Sequence, residues 1–247
     1  MSGHSKWSTI KRKKAAVDAK RGKIFTKIIK EITVAARLGG GDENTNPRLR
    51  QAILAAKAAN MPADNMKRAI QKGIGELPGV TYEEVTYEGY GPGGVAIMME
   101  VITDNKNRIV AEIRHLMSKY GGNLGENGSV AWMFDNKGQI VIPKSAGEED
   151  TIFELALEHG AEDFVAEDDF YTITTDPTNV MSVRDALENT GLEIESAQLE
   201  MIPKNLQSVT GKDAEKLMNL LDCLDDNDDI NQLYTNMDID DSDMQSD

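Results

Sequence analysis

The charge on this chain is split in two along its length, and the split limits how its parts can pack. Residues 1–78 carry 17 Lys and Arg against 6 Asp and Glu, a net of +11, while the remainder carries a net of −26. Residues 1–30 alone hold ten basic side chains and one acid, Asp18. Like charges at this density repel one another unless a polyanion neutralises them. A strongly cationic end on an acidic protein is therefore an electrostatic footprint for nucleic acid. The acidic remainder is repelled by phosphate, so it is expected to face away from the polyanion or to offer a surface to a protein partner.

Residues 1–78 read as helical. At 100° per residue, 20–37 place Ile24, Phe25, Ile28, Ile29, Ile32 and Ala36 on one face and Lys20, Lys23, Lys27 and Lys30 on the other. The triple glycine 39–41 stops this helix. A second helix over 48–59 has Leu49, Ile53, Leu54 and Ala58 as its stripe, and Pro62 opens a third, anchored by Met66, Ala69, Ile70 and Ile74. Residues 1–14, poor in core formers, read as a flexible arm that orders on phosphate.

The pattern changes at Gly79. Residues 82–90 and 95–103 are rich in Val, Ile, Tyr and Thr and read as strands joined through Gly91-Pro92-Gly93-Gly94. Asn105 caps a helix that ends at Gly121-Gly122. Val130, Trp132 and Phe134 alternate as a further strand before a turn at Asn136-Lys137-Gly138. From 139 the order is strand (139–142), helix (148–159), two strands (163–175), helix (176–187) and strand (192–202), the β-α-β-β-α-β plan of a ferredoxin-like sandwich. Helix 212–224 and strand 229–237 complete the earlier set. The expected class is α+β: an N-terminal three-helix domain (1–78) followed by two ferredoxin-like α+β domains, the third (139–205) inserted in the second (79–138 with 206–237). Residues 238–247 are acidic, nearly devoid of apolar side chains, and read as a disordered tail.

Little here points to catalysis. Gly89-x-Gly91-x-x-Gly94 has the letters of a dinucleotide fingerprint, but a strand follows it where that mechanism needs a helix N-terminus. A tight hairpin with glycines at positive φ is the better reading. The three histidines, His4, His115 and His159, lie at no ligand spacing, and Cys223 is the single cysteine, set among Leu217, Leu220, Leu221 and Leu224 as core filling. No metal, cofactor, small-molecule substrate or catalytic residue is expected. No run reaches the ~18 apolar residues of a membrane span, and the N-terminus lacks the apolar region of a secretory signal. No membrane partner is expected.

The residues 1–7 (Met-Ser-Gly-His-Ser-Lys-Trp) with Ile10-Lys11, then 87–96, then Thr103-Asp-Asn-Lys-Asn-Arg108, then 125–134, resemble the YebC family along roughly residues 1–237. The resemblance implies three domains around a central cavity, a cytosolic location and a DNA-binding transcriptional regulator. It also implies kinship with organellar translational activators and with ribosome-linked bacterial relatives. It leaves open whether DNA or RNA is bound. A lysine-rich contact grips the backbone without reading bases, which suits structured RNA as well as duplex DNA.

The expectation is thus a non-enzymatic nucleic-acid-binding regulator. Lys6, Lys11, Arg12, Lys13, Lys14, Lys20, Arg21, Lys23, Lys27 and Lys30 are expected to contact phosphate, with Lys67, Arg68 and Lys72 of the third helix extending the patch. Trp7 either stacks on an exposed base or packs on the bundle.

Overall fold

The protein is seen as a computed structural model that describes Trp7 and residues 21–239. The first helix, α1 (Arg21–Gly39), buries Ile32, Ala35 and Ala36 against α2 (Pro47–Ala58) and α3 (Ala63–Gly73). Its expected apolar face is found at all positions but Ile24. Phe25, Ile28 and Ile29 pack at the edge of this core, while Ile24 is 43% exposed. The core is built largely of alanines, which lets the helices approach closely. Asn46 ties α1 to α2. Its Oδ1 accepts from the Leu49 N–H (3.1 Å) as an N-cap, while its Nδ2 donates to the Ala35 and Gly40 carbonyls (2.8 Å each), joining the end of α1 to the start of α2.

β1 (Glu83–Tyr90) and β2 (Ala96–Thr103) form the expected antiparallel hairpin. Gly94 has φ +75°, as a tight turn requires, but Gly91 lies at φ −87°. Gly91 is demanded by packing: a Cβ there would stand 2.9 Å from Ile97 and from Leu217. α4 (Lys106–Tyr120) is capped by the Asn105 side chain and ends at Gly121 in the left-handed region. With β3 (Asn123–Leu124), α7 (Gly211–Asp225) and β9 (Ile230–Thr235), these elements make a four-stranded sheet of order β3-β1-β2-β9. Its core joins Ile97, Met99, Ile109, Ile113 and Met117 to Leu217, Leu220, Leu221 and Leu224. A short parallel pair, β8 (Gln207–Ser208) with β10 (Met237–Asp238), lies beside it in the chain. Asp238 and Ile239, assigned to a disordered tail by composition, are thus structured, and Ile239 is wholly buried in this core. The rest of that tail lies outside the described residues.

A buried carboxylate fixes the loop after β3. Glu88 accepts from the backbone N–H groups of Gly128 (2.7 Å), Val130 (2.8 Å) and Ala131 (2.8 Å). Burial alone would push its pKa up; the three donors more than offset this and hold it below the ordinary value.

The chain forms two compact units, and residues 133–205 make the second. The expected strand at 130–134 is instead a 3-10 turn (Ala131–Met133) leading into β4 (Phe134–Pro143), which runs straight through the expected turn at Asn136-Lys137-Gly138. Gly138 sits inside the ladder, opposite Thr175 and Leu199. A Cβ there would collide with the Thr175 hydroxyl and with Val180, so this glycine serves a close helix–sheet contact. α5 (Glu149–Glu158), β5 (Asp163–Ala166), β6 (Phe170–Thr175), α6 (Val180–Asn189) and β7 (Ser196–Pro203) complete the β-α-β-β-α-β unit, its sheet ordered β5-β6-β4-β7 and antiparallel throughout. Ile140, Ile142 and Ile173 on one sheet face pack with Ile152, Val183 and Leu187 of the two helices. Among the described residues no helix is long and apolar enough to cross a membrane.

Two glycines test the packing. A Cβ on Gly73 would stand 2.5 Å from the Thr33 carbonyl and 2.7 Å from the Ala36 Cβ, where α3 meets α1. Gly73→Ala and Gly91→Ala are each expected to destabilise by about 1–3 kcal/mol through overpacking. Gly22→Ala, on α1 with nothing near its Cβ, is expected not to. Chemical denaturation of the three variants checks this.

Candidate nucleic-acid interface

The lysine stripe of α1 does not face solvent as a set. Lys23, Lys27 and Lys30, one helical turn apart, point at the C-terminal end of α7 and the five residues Asp225, Asp226, Asn227, Asp228 and Asp229. Lys23 Nζ donates to the Asp226 carbonyl (3.0 Å) and lies 3.3 Å from its carboxylate. Lys27 Nζ donates to the Asp225 carbonyl (2.6 Å) and lies 3.4 Å from its carboxylate. Lys30 Nζ donates to the Asp228 carbonyl (2.8 Å) and to the Asp229 carboxylate. The last carbonyls of a helix have no intrahelical donor and carry the negative end of its dipole, so cations are stabilising there.

The innermost of these pairs is buried: Lys30 is 7% exposed and Asp229 6%. Asp229 also accepts from Thr103 Oγ1 (2.8 Å) and Arg108 Nη2 (2.6 Å), and the Lys30 ammonium lies over the Tyr82 ring, 5.7 Å from its centroid. Burial by itself would raise the Asp229 pKa. Hydrogen bonds from Lys30, Arg108 and Thr103 outweigh it and hold the carboxyl below its ordinary value. The same contact, with Asp104 adding 2.8 Å from the other side, raises the Arg108 pKa. A second bridge stands nearby: Arg48 of α2 grips Glu31 of α1 bidentately (2.6 and 3.0 Å) and reaches Glu84 of β1 (2.5 Å).

A cleft of about 440 Å³ opens beside this network, lined by its residues and by Thr26 and Glu112. Three cations, Lys23, Lys30 and Arg108, face five carboxylates there, Asp104, Glu112, Asp226, Asp228 and Asp229, for a net of −2. The cleft therefore repels phosphate. Among the described residues no cluster of His, Cys, Asp and Glu could hold a metal ion.

Several expected contacts are corrected. Lys30 is buried against Asp229, and Lys27 and Lys23 meet the main-chain and side-chain oxygens of Asp225 and Asp226. Trp7 is 2% exposed and sits in the core of the β1–β2–β9 sheet with Val95, Val209 and Ile239, so it neither stacks on a base nor packs on the bundle. An indole has more apolar area to bury than any other side chain, and that sheet offers a core where the bundle offers alanines. Cys223 lies at the edge of the core, its Sγ 3.3 Å from the Tyr120 hydroxyl. Lys67, Arg68 and Lys72 of α3 are exposed as expected, Arg68 beside Asp64 (3.1 Å) one turn earlier. Lys6, Lys11, Arg12, Lys13, Lys14, Lys20 and the side chain of Arg21 lie outside the described residues. The residues missed from sequence are Thr103, Asp104, Arg108 and the acidic run 225–229. A run of four Asp in five positions, matched to lysines one helical turn apart, was the available signal.

Removing one partner from a buried pair leaves the other charge uncompensated, at a cost of about 3–5 kcal/mol. Asp229→Asn is expected to lose that much at neutral pH. Because the folded carboxyl titrates below its ordinary value, its contribution is present in full above that value and is lost as pH falls through the folded one. Urea titrations at a series of pH values are expected to show the gap between wild type and variant closing on the acid side.

The descriptions of known families match the chain in two segments. Residues 5–76 match the "TACO1/YebC protein N-terminal domain" and residues 82–237 the "TACO1/YebC second and third domain". A "probable transcriptional regulatory protein" of Desulforapulum autotrophicum is 60% identical over 241 residues, covering 98% of each chain. One of the same name from Syntrophus aciditrophicus is 59% identical over 246 residues, covering 99% of this chain and 98% of its own. Among solved structures, a conserved hypothetical protein of Aquifex aeolicus superposes with a TM-score of 0.86 at 45% identity, over 93% of this chain and 95% of its own. With both segments matched and full-length relatives near 60% identity, the chain belongs to the TACO1/YebC family.

Proposed function

We propose that this chain is a DNA-binding transcriptional regulator, a non-enzymatic cytoplasmic protein that grips phosphate through its basic N-terminal region. The observation that carries the reading is the concentration of basic residues in the N-terminal sequence. Residues 1–21 hold seven basic side chains against Asp18, and α3 adds the exposed Lys67, Arg68 and Lys72. The relatives' name, "probable transcriptional regulatory protein", supports the regulatory role.

The chemistry expected is backbone recognition. Lys6, Lys11, Arg12, Lys13, Lys14, Lys20 and Arg21 neutralise successive phosphates, and Lys67, Arg68 and Lys72 extend the contact. Such contacts give affinity and position without reading sequence. The acidic units keep the rest of the protein off the polyanion and leave a surface for a protein partner.

Binding measured against salt tests this. With about six phosphates engaged, log K against log[salt] on duplex DNA is expected to slope near −5. Reversing Lys11, Arg12, Lys13 and Lys14 to Glu is expected to abolish most of that slope, and reversing Lys67, Arg68 and Lys72 to reduce it. A structured RNA hairpin run in parallel separates the targets: tighter binding to RNA at equal salt moves the role to translation. A slope near zero on both overturns the reading.

A further inference from the structure

We propose that the acidic run at the end of α7 is a built-in competitor for phosphate, holding Lys23 and Lys27 of α1 in reserve until a polyanion displaces it. This deepens the reading above and rests on it.

The geometry resembles a lysine comb on a phosphate backbone. Lys23, Lys27 and Lys30 project at successive turns of one helix, and each meets both a main-chain carbonyl and a carboxylate of the segment 225–229. The segment thus supplies a short row of negative oxygens where phosphates would lie. The three pairs are graded. Lys30 and Asp229 are buried and fastened by Thr103 and Arg108. Lys27 and Asp225 are partly exposed, at 14% and 26% of their side-chain surfaces, and Lys23 and Asp226 are at 43% and 42%. Exposed pairs are weak and are screened by salt. The outermost pair, Lys23 with Asp226, is the one open to water, Lys27 with Asp225 is intermediate, and the innermost keeps α1 docked.

The device predicts context-dependent lysines. While the segment holds them, Lys23 and Lys27 contribute little to phosphate binding. Once its charge is removed, they become contacts. The test is a cycle in the full-length chain, read as the salt slope on random-sequence duplex DNA with a structured RNA hairpin in parallel. Asp225→Asn with Asp226→Asn is expected to tighten binding at low salt and to steepen the slope by about 2, the signature of two more phosphates. Glu154→Gln with Glu158→Gln, exposed on α5, makes the same change in net charge elsewhere and is expected to leave the slope unaltered. Lys23→Gln with Lys27→Gln is expected to cost little in the wild-type background and to erase the whole gain in the Asp225→Asn, Asp226→Asn background. Thermal melts confirm that Lys30 and Asp229 still hold each variant folded.

Equal slopes for the α7 and α5 variants overturn the proposal. So does a loss from Lys23→Gln with Lys27→Gln that is the same in both backgrounds, because those lysines would then already touch phosphate. A wild-type chain with no salt-dependent binding to either probe fails at the earlier step, and both proposals fall with it.

Discussion

The buried pair of Lys30 and Asp229 is the interaction on which the arrangement of the larger unit depends. Moving two charges out of water costs several kcal/mol per ion, and the attraction between them offsets that only when the remaining hydrogen-bonding capacity is used. Here it is used. Asp229 takes donors from a lysine, an arginine and a threonine, and Lys30 adds a carbonyl and an aromatic face. Asp229 also sits at the sheet edge, its carbonyl accepting from the Ile102 N–H at 2.8 Å. A side chain of the basic helix is thereby registered against the backbone of β2. From that fixed point the outer lysines fall on the last turn of α7, and Arg48 with Glu31 and Glu84 closes the other side.

This resolves part of the charge problem posed by the chain. A head of +11 does not need an external polyanion for all of its charge, because the acidic body answers some of it within the molecule. Among the described residues, exposed basic charge lies away from the stripe that first drew attention, on α3 at Lys67, Arg68 and Lys72. The same electrostatics that make the head attractive to phosphate also make it attractive to its own carboxylates. Exposure grades the competition, since a pair open to water yields to a polyanion more readily than one that is dry.

Most of the fold was legible because its signals are local. The lysine-opposed apolar stripe, the Asn105 cap, the stop at Gly121 and the β-α-β-β-α-β order each depend on residues a few positions apart, and each is found. What was not legible depends on distant partners. Nothing local marks Lys30 as bound for Asp229, 199 positions away. Trp7 among charges reads as a base stacker or as a side chain packed on the bundle until the sheet that buries it exists. Gly138 after Asn-Lys reads as a turn, because its true reason, the approach of Val180 and Thr175, lies beyond any window. Ile239 stands at the start of an acidic stretch that masks a core contact.

The most direct test of this account is a double-mutant cycle on Lys30 and Asp229, using Lys30→Met, Asp229→Leu and the two together, with stability measured at neutral pH and at two ionic strengths. The expected result is a coupling well above the ~1 kcal/mol ceiling of an exposed pair, little changed by salt, with the double variant more stable than either single one. Additive losses, or a coupling that disappears on adding salt, would contradict the claim that this pair holds the basic helix in place.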